Sequence, residues 1–248
     1  MKMSSFGKLA LAFTAAATLA APAVASAATY YSQLEYRDGL VGPQTPYGTV
    51  MLEETDANTV KVTVTLANAA SLFVNTGGPH DPFLFNLPAV SQVTVQNSGA
   101  QDFSYVGDGS YEATPFGTFT DKIGCCLIHG GKKDGQEGNG QANGDPPPLI
   151  FTVFNAGGLT FAGVGATFDP NTGKLLTTGT GNHFVSNSGG WWFSADIYDG
   201  ATGQTYNVAA RDAFGPTNAV PEPAAWALMI TGFGAAGAML RRRRTALA

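Results

Sequence analysis

Residues 60–66 alternate without a break: Val60, Val62, Val64 and Leu66 are apolar, and Lys61, Thr63 and Thr65 between them are polar. A period of two sends successive side chains to opposite faces, so the run predicts a half-buried strand, which the β-branched valines favour. Asp56-Ala57-Asn58 supplies the turn that pairs it with the strand before, inside "YGTVMLEETDANTVKVTVTL", residues 47–66. Between the two ends of the chain no long stretch places apolar residues at helical spacing, which excludes a helical bundle.

Further strands are expected at Val90 to Gln96, Phe103 to Val106, Leu149 to Phe154, Leu159 to Phe168, Trp191 to Tyr198 and Thr205 to Ala209. Turn clusters, "NSGAQD", "GDGS", "DPNTGK" and "DGATGQ", divide them. Many short strands joined by Gly and Asn turns predict an all-β fold, a β-sandwich or jelly roll. Phe151, Phe154, Phe161, Phe168, Trp192 and Phe193 are its core candidates. Residues 129–148, "HGGKKDGQEGNGQANGDPPP", carry too few apolar side chains to offset the entropy of ordering, which predicts a flexible loop. No fixed repeat runs through the chain, so a single domain is expected rather than a solenoid or propeller.

Both ends read as processed segments. Lys2 and Lys8 precede an apolar run from Leu9 to Ala20, and small residues Ala25, Ser26 and Ala27 follow. That order predicts a signal peptide over residues 1–27 cut between Ala27 and Ala28, with Ala23-Val24-Ala25 as a second small-residue site. At the other end Ala224 to Leu240 is a 17-residue apolar run, at the lower limit for a transmembrane helix, broken by Gly232, Gly234 and Gly237. Arg241, Arg242, Arg243 and Arg244 follow at once and should stay on the cytoplasmic side. Residues 28–220 would then lie outside the inner membrane as one exported domain.

Pro221-Glu222-Pro223, Trp226-Ala227, Met229-Ile230, Gly232-Phe233-Gly234, Gly237 and the four arginines stand in an order that resembles the PEP-CTERM sorting signal in its PEPxxWA form. The same segment is also known as the ice-binding protein C-terminal domain, a label that does not imply ice binding. The likeness covers residues 221–248 and implies an exosortase, a membrane-embedded cysteine transpeptidase, that cuts near Pro221 to Pro223 in bacteria making exopolysaccharide. Two prolines around a glutamate favour an extended backbone, the form a protease reads. A plain anchor that is never cut is the alternative. "FVNTGGPHDPFLFNL", Phe73 to Leu87, more loosely resembles a segment of other small PEP-CTERM proteins of unassigned function.

Charge limits the partners. Of 13 Lys and Arg and 18 Asp and Glu, the terminal segments hold Lys2, Lys8, Arg241 to Arg244 and Glu222. Residues 28–220 therefore keep seven cationic and seventeen anionic side chains, a net charge of −10. Nucleic acid and anionic membrane surfaces are poor partners for such a domain, and divalent cations or neutral glycans are better ones. Charged residues are only 12% of the chain, so Thr, Asn, Ser and Gly carry its polarity, as in secreted β-proteins.

The residues that could carry chemistry are few. Cys125 and Cys126 are adjacent, the only cysteines, and bound for an oxidising compartment. A vicinal disulfide is expected at the edge of the loop, with intermolecular bridges or free thiols as alternatives. Metal binding by Cys125, Cys126 and His129 lacks the C-x₂₋₄-C spacing and the fourth ligand of a zinc site. Asp134, Glu137, Asn139, Asn143 and Asp145 lie among glycines and offer calcium ligands, although their order matches no EF-hand. Asp169 and Asn171 read as turn residues. His80, His129 and His183 are scattered, and neither G-x-S-x-G nor H-E-x-x-H occurs. Trp191 and Trp192 should face opposite sides of one strand, leaving one ring to stack on a sugar, to lie under a loop or to meet another subunit. The expected function is an exported, non-catalytic structural or binding β-domain associated with exopolysaccharide. A secreted carbohydrate-active enzyme, or a glycan- or ice-adhesive module, is the alternative.

Overall fold

The structure is a computed structural model and describes residues 28–88, 91–126 and 144–215. The described residues are all β, with no helix. The strands are β1 (Thr29–Leu34), β2 (Tyr36–Arg37), β3 (Gly48–Asp56), β4 (Thr59–Leu66), β5 (Leu72–Phe73), β6 (Phe83–Phe85), β7 (Gln92–Gln96) and β8 (Ser104–Ala113). They continue with β9 (Gly117–Gly124), β10 (Leu149–Phe154), β11 (Thr167–Phe168), β12 (Leu175–Thr177), β13 (Phe193–Asp199), β14 (Gln204–Ala210) and β15 (Ala213–Phe214). One sheet runs in the order β15-β1-β3-β4-β10-β7 and the other β2-β14-β13-β6-β9-β8, with β5 on β13 and a separate β11-β12 ribbon.

The alternating valines do what their period requires. Val60, Val62 and Val64 of β4 are fully buried, and Val50 and Leu52 of β3 lie beside them in register with Val64 and Val62. Asp56 closes the hairpin as the turn acceptor, its Oδ1 taking the Asn58 amide at 2.7 Å. The two sheets meet over one core of phenylalanines: Phe151 of β10 lies 5.1 Å from Phe85 and 6.0 Å from Phe83 on β6, and Phe83 stacks on Phe193 of β13. Phe161, Phe184 and Trp192 close one end. Removing any of these rings would leave a cavity worth about 3–5 kcal/mol.

Four sequence expectations need correction. "GDGS", residues 107–110, does not divide two strands but lies inside β8, which takes it up as register shifts against β9. Leu159 to Phe168 is no strand: only Thr167–Phe168 pairs as one, and residues 159–166 hold on by the isolated bridges Thr160–His183 and Val164–Thr180. Gly163 and Gly165, at φ +88° and +81°, turn the chain there, and Gly163 lies so near Gly179 that a Cβ would collide with its backbone. Phe154 stays 38% exposed because it occupies an outward position of β10, whose core positions are Leu149, Phe151 and Val153. Phe168 is only half-buried, at the rim against Tyr30.

Candidate functional site

The two sheets treat their outer faces differently. On the second sheet the outward residues of the central strands, Leu84, Lys122, Ser194, Asp196, Asn207 and Ala209, are all buried. Segment 74–82 and the β8–β9 turn cover them. Val74 donates its amide to the Asp196 carbonyl and Asp196 donates its amide to the Asp81 carbonyl, both at 3.0 Å, so the segment clasps β13 from two sides. Thr76 donates its amide and hydroxyl to Asp196 Oδ2, and Lys122 on β9 pairs with Asp81 at 2.8 Å. Burial, reinforced by the nearby Asp38 and Asp81 carboxylates against the lowering effect of the Thr76 bonds, pushes Asp196 up to about 7. Beside it Ser194 donates to Asn207 Oδ1 at 2.8 Å, and Asn207 Nδ2 reaches back to the Thr114 carbonyl under the β8–β9 turn. The sequence predicts a strand over Trp191 to Tyr198 but carries no local signal that Asp196 would be sealed.

The two tryptophans face opposite ways. Trp192 is 7% exposed, with its ring 5.2 Å from Phe161 in the core. Trp191 is wedged edge-on between Tyr36 and Phe116, each centroid 4.9 Å away, and the Arg211 guanidinium lies 5.5 Å over its ring. It caps a second apolar cluster of Leu84, Ala113, Phe116, Phe119 and Ala209. Both rings are already occupied by packing.

Cys125 and Cys126 are joined sulfur to sulfur and buried, with both Sγ atoms near the Phe73 carbonyl. Cys126 is the only non-glycine at positive φ (78°) among the described residues, and its amide donates to Asp102 Oδ1. Asp102 in turn donates its amide to Asp145 Oδ2 at 2.8 Å. Asp145, one of the expected calcium ligands, is fully buried and exchanges both backbone bonds with Phe73, and Gln101 Nε2 holds the Pro146 and Pro148 carbonyls. Residues 144–148 are thus built into the fold. The other candidates, Asp134, Glu137, Asn139 and Asn143, and His129 lie outside the described residues, and no metal-holding group of three His, Cys, Asp or Glu occurs among the described ones.

Acid chemistry has two further footholds. Glu54 is drawn upward by burial, against the Phe161 amide it accepts at 2.7 Å and a hydrogen bond with Tyr30, whose phenol rises to about 12 through burial and that carboxylate. Glu35 is raised by burial and by Asp212, which Lys174 grips at 2.7 Å. A cleft of about 490 Å³ is lined by Leu87, Ser91, Tyr105, Asp108, Thr120 and Asp121. Of its two carboxylates, Asp121 is already saturated by Tyr105, Thr120 and the Leu87 amide.

The outer face of the first sheet is open. Pairing registers align Phe214, Tyr31, Met51, Thr63, Ile150 and Gln96 in one row across all six strands. Beside it lie Thr29, Glu53, Lys61, Thr152 and Thr94 in a second row, and Gln33, Thr49 and Thr65 in a third. Tyr31 is 43% exposed, and no residue in these rows is fully buried. Glu53 and Lys61 are the only charges in the rows and cancel each other at 3.1 Å.

Ala27 lies outside the described residues, as do Pro221, Glu222, Pro223, Trp226, Gly232, Phe233, Gly234, Arg241, Arg242, Arg243 and Arg244, and with them the 224–240 transmembrane segment. Ala28 is the first described residue, its carbonyl accepting the Glu54 amide at 2.9 Å. Comparison with family models, with curated proteins and with solved structures gives no match.

Proposed function

We propose that the chain is an exported β-domain protein. A signal peptide delivers it, its C-terminal segment holds it briefly in the inner membrane, an exosortase-type enzyme cuts it near Pro221 to Pro223, and it then takes a non-catalytic place at the cell surface in exopolysaccharide. The observation that carries the reading is the tail itself: Pro-Glu-Pro ahead of an apolar run, Trp226 and Gly-Phe-Gly within it, and four arginines directly behind it. An acidic domain poor in charged side chains and rich in Gly, Thr and Asn supports it, since such a surface stays hydrated through hydroxyls and amides. Replacing Arg241 to Arg244 by alanine tests the sorting step. Unprocessed protein retained with the inner membrane is expected, and normal delivery to the surface would overturn the role given to the arginines.

A second reading, a secreted carbohydrate-active enzyme, has one observation in its favour. Burial and the nearby Asp212 carboxylate push the Glu35 carboxyl upward while Asp212 itself is ion-paired to Lys174, and glycoside hydrolysis uses two carboxyl groups in such different surroundings. Release of reducing ends from polysaccharide, lost in Glu35→Gln, would establish it; no release from wild type leaves the non-catalytic reading in place.

A further inference from the structure

We infer that the outer face of the first sheet is a binding platform for a neutral polysaccharide, with the row Phe214, Tyr31, Met51, Thr63, Ile150 and Gln96 as its central stripe. This rests on the exported reading above and names the partner of the domain. The first argument is availability. The central strands of the second sheet have their outward side chains buried under its own loops, whereas every row on the first sheet stays at least partly open. The second is shape: six neighbouring strands at the usual spacing make the stripe about 24 Å long, enough for several sugar residues laid across the strands. The third is chemistry. Aromatic and aliphatic groups form the middle row, and Thr29, Thr49, Thr65, Thr94, Thr152 and Gln33 flank it, so apolar sugar faces would meet the stripe and hydroxyls would meet hydroxyls and an amide.

Charge selects the occupant. The exported region carries −10, and the cations on this face, Lys61 and, beside Phe214, Lys174, are each already paired to a carboxylate, Glu53 and Asp212. An anionic polymer would meet long-range repulsion with no cationic side chain free on the face to receive it. A second copy would bring the same net charge against the first. A neutral glycan meets neither obstacle.

The test is affinity electrophoresis of the full-length chain, in detergent, through native gels containing dextran, hydroxyethyl cellulose, galactomannan or anionic alginate. Retardation by at least one neutral polymer is expected, weakened about tenfold in Tyr31→Ala/Phe154→Ala and unchanged in Thr205→Glu on the far sheet. Both rings are substantially exposed, so the double variant should keep its fold, and its near-ultraviolet circular dichroism checks that. No retardation by any neutral polymer, retardation by alginate alone, or retardation unaffected by the double variant would each overturn the inference. So would a doubled mass in light scattering that the double variant abolishes, which would mark the face as a contact between copies. Binding without tail processing would sink the sorting reading and leave this one standing, and processing without binding would do the reverse.

Discussion

Thr76 places two hydrogen bonds on one oxygen of Asp196, from its amide at 2.8 Å and its hydroxyl at 2.5 Å, across 120 residues of sequence. That single carboxylate joins segment 74–82 to the centre of β13, in a place that burial and the Asp38 and Asp81 charges make unfavourable for a full negative charge. Its titration is therefore coupled to stability. The folded value, about 7, lies above the ordinary value near 4, so the folded protein holds a proton that the unfolded chain releases between those limits. Asp196 thus contributes stability that is full below about pH 4 and is lost as pH rises through 7. Wild type compared with Asp196→Asn should show a stability difference that moves by a few kcal/mol, against wild type, between pH 4 and 8 in denaturant titrations. A pH-independent difference would contradict it.

Lys122 and Asp81 are both nearly sealed, at 7% and 10% side-chain exposure. Removing the cation leaves a buried carboxylate facing Asp196, so Lys122→Met should cost about 3–5 kcal/mol. Adding Asp81→Asn should restore part of that loss, and a double-mutant cycle by urea unfolding measures the coupling.

Trp191 serves packing in this account. Trp191→Ala strips the ring from between Tyr36 and Phe116 and frees Arg211, so thermal unfolding should fall by the equivalent of about 2–4 kcal/mol. Polysaccharide retardation of the folded variant should stay at the wild-type level. Loss of retardation would move the binding surface to the second sheet.

Thr63 Oγ1 is buried in the middle of the first sheet's outer face and has no hydrogen-bond partner. Valine keeps the shape and the β preference and removes the unsatisfied hydroxyl, so Thr63→Val should raise stability by about 1 kcal/mol. A lower melting temperature would mean the hydroxyl is satisfied in solution.

What could be read in the chain beforehand follows from how local each signal is. The β3–β4 hairpin was legible because period two, β-branched residues and a turn all coincide within a few residues, and β10 and β14 were legible as short runs bounded by turn residues. β9 was not, since Asp121 and Lys122 interrupt "GTFTDKIG" and are buried only by partners far away, Tyr105 and Asp81. The same distance hid the Asp196 clasp, which depends on a segment folding back over a sheet face. The open face of the first sheet was half legible: Thr63 and Thr65 announce a polar side, but the six-residue row exists only once the register between β15, β1, β3, β4, β10 and β7 is known.

The most direct test of the central proposal is the intact mass of the protein recovered from the cell surface and medium. The account predicts a species that begins near Ala28 and ends near Pro221, freed of both terminal segments. A mass that still includes residues 224–248 would contradict it, making the chain an inner-membrane protein facing the periplasm and ending its assignment to the matrix.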